Sequence, residues 1–173
     1  FLLFQLTVNV AACFLVLFGS FMGTESPLTV TQMLWVNLIM DTFGAMALAS
    51  LPPSASVMND KPRRREASIL TRPMMTELLG VGLFFFALTL GFYWLFNHAE
   101  VTSITQMFSA VVGGENPMTA YEATLLFSIF VWTHFWYMFD ARVFETGESI
   151  FKVKMSRGFW TIVGIIIIGQ LFI

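Results

Sequence analysis

The stretch LTVTQMLWVNLIMDTFGAMALAS (28–50) decides how this chain is read. It is apolar over the length a helix needs to cross a bilayer, about 20 residues. Near its middle it carries a carboxylate, Asp41. A charge in that position costs about 2.5–3.5 kcal/mol on insertion scales. Chains that keep such a charge use it in an ion or proton pathway. Asn37 stands four residues earlier. On an α-helix, residues i and i+4 share a face, so an amide oxygen and a carboxylate point the same way. Two oxygen donors on one face inside a membrane suit a hard cation such as Ca²⁺ or Na⁺. A proton relay suits a lone buried carboxylate equally well.

The rest of the chain agrees with a membrane setting. Of 173 residues, 57% are hydrophobic and 12% charged, with a mean hydropathy of +0.75. Those values exclude an ordinary soluble domain and predict an all-α, polytopic transmembrane helical bundle. Five spans are expected, at about 1–22, 28–50, 74–97, 118–139 and 159–173. Their apolar runs are continuous rather than alternating, which favours helices over a barrel. Polar turn residues separate them: Gly23 to Pro27, the pair Pro52-Pro53, and Gly113 to Pro117. Both ends fall inside apolar runs, so the chain reads as a piece of a larger protein, and its first segment lacks the basic start of a signal peptide. Cys13 has no second cysteine to pair with and reads as a small buried apolar side chain.

All nine Lys and Arg residues fall in two loops. Lys61, Arg63, Arg64, Arg65 and Arg72 follow the second span, and Arg142, Lys152, Lys154 and Arg157 follow the fourth. By the positive-inside rule, loops 51–73 and 140–158 are cytoplasmic. The Arg63–Arg65 cluster also fits an anionic lipid surface. It is too short to suggest nucleic acid, and the partner expected of the spans is the lipid bilayer.

Other polar residues lie within the spans. Gln5 and Asn9 share a face of the first, and amides in membrane helices commonly serve as interhelical glue. That reading is preferred for Gln5; for Asn9, glue and ligand stand level. Gly44, Ala45, Ala47 and Ala49 favour close helix packing, and they also permit local unwinding. His134 sits among Trp132, Phe135, Trp136 and Tyr137, where a hydrogen-bonded structural histidine is commoner than a ligand. Glu77 suits the start of the third span. The chain has no phosphate-binding glycine loop, nucleophile elbow, CxxC or HExxH, and its one cysteine and two histidines argue against zinc.

The segment WVNLIMDTFGAMALASLPPS (35–54) resembles the sixth transmembrane helix of P-type (E1–E2) calcium-transporting ATPases of the plasma-membrane and vacuolar type. FQLTVNVAACFLVLFGS (4–20) looks like their fifth helix, TRPMMTELLG (71–80) the start of their seventh, and TLLFSIFVWTHFWYMFDARVF (124–144) their eighth. The likeness covers nearly the whole chain in order, and the sixth-helix motif is its most specific part. It implies helices five to nine of the C-terminal transport domain, with ATP, Mg²⁺ and the phosphorylated aspartate handled by the remainder of the pump. Such a piece alone is expected to be inactive. The likeness further implies that Asn37 and Asp41 match the sixth-helix Ca²⁺ ligands and Asn9 the fifth-helix asparagine.

Sarcoplasmic-reticulum-type pumps have a second Ca²⁺ site, and its positions correspond here to Ala12, Met40 and His134. Alanine and methionine offer no hard oxygen, so the likeness implies a single site, with Ca²⁺ as the transported ion and Mn²⁺ as an alternative. His134 stands where the plasma-membrane type commonly has glutamine, leaving it a lesser candidate ligand, a proton carrier or a packing residue. An ion-coupled secondary transporter also uses broken helices and a buried aspartate, but it would show repeat symmetry, which this chain lacks.

Overall fold

A computed structural model describes residues 1–22, 27–50, 68–114, 117–144 and 156–171. It is all-α, with no strand among the described residues. The elements are α1 (Leu2–Met22), α2 (Val30–Trp35), a π-helical segment (Val36–Asp41), α3 (Thr42–Ala49) and α4 (Arg72–His98). A 3₁₀ turn (Gln106–Phe108), α5 (Ala120–Val143) and α6 (Arg157–Leu171) follow. Lys61, Arg63, Arg64, Arg65, Lys152 and Lys154, on which the loop assignments rest, lie outside the described residues.

Threonine starts three of the helices. Thr29, Thr71 and Thr119 each accept a hydrogen bond at Oγ1 from the backbone N–H three residues on. Each satisfies a donor that the first helical turn would otherwise leave unpaired. Gln32 and Glu122 return the bond to the capping residue's own N–H, closing two capping boxes. Glu122 does more. It is almost fully buried, and its other carboxylate oxygen accepts from Val101 N–H at 2.8 Å. The 99–119 connection is thereby fastened to the start of α5, over a small core of Phe96, Val101 and Leu126.

The main core is one cluster shared by α1, α3, α4, α5, α6 and the π segment, with Val36 and Ala47 from the last and from α3. α1 contributes Phe4, Val8, Ala11 and Leu15, and α4 contributes Phe85. α5 adds Phe127, Phe130, Phe135 and Met138, and α6 adds Phe159, Val163 and Ile166. The α1 residues recur every three or four positions and form one stripe, as a helix packed on one side requires. That stripe faces α4 and α5, while α3 packs on α6. Small residues set the closest approaches. A Cβ at Gly82 of α4 would lie 3.2 Å from Val10 Cγ1, and one at Gly44 of α3 would lie 3.1 Å from the Phe4 ring. Gly44 and Ala47 thus serve close packing; the departure from α-geometry comes earlier, at 36–41.

Of the five expected spans, α1 and α4 are long and apolar enough to cross a membrane. α5 has the length but carries Trp132, His134, Trp136 and Tyr137, which dilute its apolarity. α6 is a shorter apolar helix that runs to the edge of the described residues. The second expected span is divided into α2, the π segment and α3. Cys13, expected to be buried, is exposed because it falls outside the buried stripe of α1.

Gly44→Val should overpack the α1–α3–α5 contact and cost about 1–3 kcal/mol. In thermal melts of the detergent-solubilised protein it should melt below wild type. Gly80→Val, where an added Cβ meets nothing within 4 Å, should not. Equal melting of both variants would contradict the packing described.

Candidate cation site

α1 presents two different faces. Beside its buried stripe, Phe1, Gln5 and Asn9 follow one another at four-residue steps along one line, with Gln5 and Asn9 half-buried. This line borders an open cleft of about 630 Å³. The far wall is Asn37, Thr42 and Ala45, from the π segment and α3. Two polar stretches well separated in sequence therefore meet across one opening.

Hydrogen bonding orients the first amide. Asn9 Nδ2 donates to Gln5 O at 3.0 Å. A backbone carbonyl only accepts, so the amide nitrogen must face it. The amide oxygen of Asn9 is left as the atom offered to an incoming cation. Asn37 is exposed to the cleft from the other wall. Among the described residues no group of three or more His, Cys, Asp or Glu side chains could hold a metal ion. The described donors at this cleft are amide and hydroxyl oxygens; the side chain of Asp41 lies outside the described part of the structure.

Asn37 and Asp41 both lie in the π segment. Its hydrogen bonds span five residues rather than four, so their spacing is just under a turn instead of just over one. Their backbone positions remain on one side of the segment. π turns inside α-helices are frequent at functional sites, since the wider turn displaces side chains and carbonyls from α-helical register.

His134 is placed elsewhere. It is fully buried on α5 and does not line the cleft. Its ring lies 4.2 Å from Phe130 and 4.6 Å from Phe85, centre to centre, and Nδ1 is 2.6 Å from Phe130 O. Ala12 lies in the α1 core stripe, away from the cleft. Gln5, which the sequence favours as glue, shares the cleft with Asn9, in keeping with the common face read from their four-residue spacing. Thr42 had no signal beyond its place after Asp41.

An all-α apolar bundle of this kind is the architecture of a membrane helical region. Residues 25–173 match the family described as cation transporting ATPase, C-terminus, and the chain belongs to that family. It is 36% identical over 163 residues to plasma membrane calcium-transporting ATPase 3 of Rattus norvegicus, covering 91% of this chain and 12% of that protein. It is 35% identical over 155 residues to plasma membrane calcium-transporting ATPase 1 of Gallus gallus, covering 88% of this chain and 12% of that one. A third relative is a probable calcium-transporting ATPase 6, plasma membrane-type, of Oryza sativa subsp. japonica. It is 33% identical over 175 residues, covering 99% of this chain and 16% of its own length. This chain therefore spans only a small part of these relatives. It is a cation-transporting ATPase C-terminal region and a membrane protein.

The cleft makes a selective demand on substitutions. In a full-length protein carrying this sequence, Asn9→Ala should raise the cation concentration needed for half-maximal transport. His134→Gln should leave it unchanged within error. Cation titrations of transport in membrane vesicles check both, and the reverse pattern would move the site to α5.

Proposed function

We propose that this chain forms part of the ion pathway of an ATP-driven Ca²⁺ efflux pump and supplies Asn9, Asn37 and Asp41 to a single Ca²⁺ site within the membrane. The observation that carries this is the cleft, which is lined by Asn9 of α1, its amide nitrogen engaged by Gln5 O, and by Asn37 of the π segment that also bears Asp41. Ca²⁺ takes six to eight oxygen ligands in flexible geometry. Two amides and a carboxylate supply part of that shell. Backbone carbonyls and residues from the remainder of the pump would complete it.

The reading extends to topology. The chain would pass through the lipid bilayer five times, with loops 51–73 and 140–158 on the cytoplasmic side, as their basic residues require. ATP and Mg²⁺ would act in the rest of the protein, where phosphorylation would drive the helices between two arrangements. In one, the cleft oxygens replace the hydration shell of Ca²⁺. In the other, the shell is broken, the ion leaves, and protons compensate the carboxylate. A ligand shifts such an equilibrium only by its differential affinity for the two states. Separating Asn9 on α1 from Asn37 and Asp41 on the π segment would supply that difference. Mn²⁺ would fit the same oxygens, and competition by Mn²⁺ in the assay below separates the two cargoes.

ATP-driven ⁴⁵Ca²⁺ uptake into vesicles by the full-length protein is expected for the wild type. It should be lost in Asp41→Asn at equal expression. Uptake unchanged by the substitution would remove Asp41 from the site. Ca²⁺ uptake driven by an ion gradient without ATP would favour a secondary transporter.

A further inference from the structure

The face of α1 turned away from the cleft carries a buried hydroxyl, Thr7, midway in sequence between Gln5 and Asn9. Thr7 is fully buried, and its Oγ1 donates to Leu3 O at 2.8 Å. The same oxygen lies 3.2 Å from Tyr137 Oη of α5. Tyr137 is only 4% exposed and is held on three sides. Its ring stacks on Phe4 of α1 at 6.2 Å and meets Phe85 of α4 edge-on at 5.5 Å. With the Thr7 proton given to Leu3 O, the Tyr137 hydroxyl donates to Thr7 Oγ1 and ties α1 to α5.

We infer that Tyr137 is a positioning residue for the cation site: through Thr7 it fixes the rotation of α1 about its own axis, and so the direction in which Asn9 offers its amide oxygen. This rests on the reading of the cleft as a Ca²⁺ site. Apolar side chains alone set azimuth loosely, because dispersion contacts are individually small and non-directional. The buried hydroxyl pair is directional and costly to leave unmade. It also acts at the right height, since Thr7 is only two residues from either cleft amide. The close approach of Gly82 to Val10 Cγ1 and Thr7 O holds the α1 and α4 backbones together beside it. α1 can therefore turn about that contact once the Thr7–Tyr137 bond is gone. A small turn sweeps Asn9, on the opposite face, across the cleft.

The test is Ca²⁺-dependent, ATP-driven uptake by the full-length protein in vesicles. Tyr137→Phe keeps the ring and removes the hydroxyl. It should raise the half-maximal Ca²⁺ concentration about 3- to 10-fold, the range expected for one lost buried hydrogen bond, while maximal uptake is kept. Thr7→Val should do the same, the double variant should be no worse than either single, and Thr7→Ser should restore wild-type affinity. Should Tyr137→Phe fail to fold, the Thr7→Val and Thr7→Ser pair decides the matter alone. An unchanged Ca²⁺ dependence in Tyr137→Phe or Thr7→Val, with Asn9→Ala still weakened, would overturn the positioning role and leave the site standing. Lower maximal uptake at unchanged affinity would also overturn it, since that marks a merely structural bond. If Asn9→Ala and Asp41→Asn leave uptake unaltered too, the site reading falls and the inference with it.

Discussion

Burial of one stripe of α1 against α4 and α5 governs everything the cleft presents. A helix cannot turn one face without turning the other. Once Phe4, Val8, Ala11 and Leu15 are packed into the shared core, Gln5 and Asn9 are set along the flank of that stripe, where the cleft opens. Small residues let the helices come close, and the buried Thr7–Tyr137 pair adds a directional contact to that packing. An added Cβ at Gly82 would already meet α1 at 3.2 Å. Dense packing of this kind makes alternative arrangements discrete rather than continuous. That is the property a site needs if its ligands are to separate as a step.

The opposite wall obeys a different constraint. Inside hydrocarbon every backbone group has to find its partner within its own segment or inside the protein. The stretch 28–50 meets this by staying helical while leaving α-geometry for six residues, Val36–Asp41. Capping at Thr29 secures its start, and the close seat of Gly44 beneath the Phe4 ring secures its far side. A polar interruption is thus held between two anchored α-pieces. The carboxylate that makes the stretch costly in a membrane lies at the end of that interruption.

Much of this was legible in the sequence, for identifiable reasons. Continuous apolar runs gave the all-α class, and the out-of-place Asp41 marked the segment where the polar wall formed. The four-residue step from Gln5 to Asn9 gave one side of the cleft. Other features were out of reach. The π segment has no side-chain signature that separates VNLIMD from an α-helical run. The Thr7–Tyr137 bond joins residues 130 positions apart, which no local pattern connects. Cys13 was misjudged because apolar surroundings in sequence do not say which face a residue takes. Glu122 could have been read, since Thr119 and Glu122 spell a capping box, but its second bond to Val101 depended on how the 99–119 connection folds.

The claim on which the account rests is spatial: one cation held between α1 and the π segment. A difference density map between Ca²⁺-loaded and chelator-treated full-length protein tests it most directly. The account predicts a single cation peak within about 2.3–2.6 Å of oxygens from Asn9, Asn37 and Asp41. A peak beside His134 on α5, or one elsewhere that leaves those three residues without contact to it, would contradict the account.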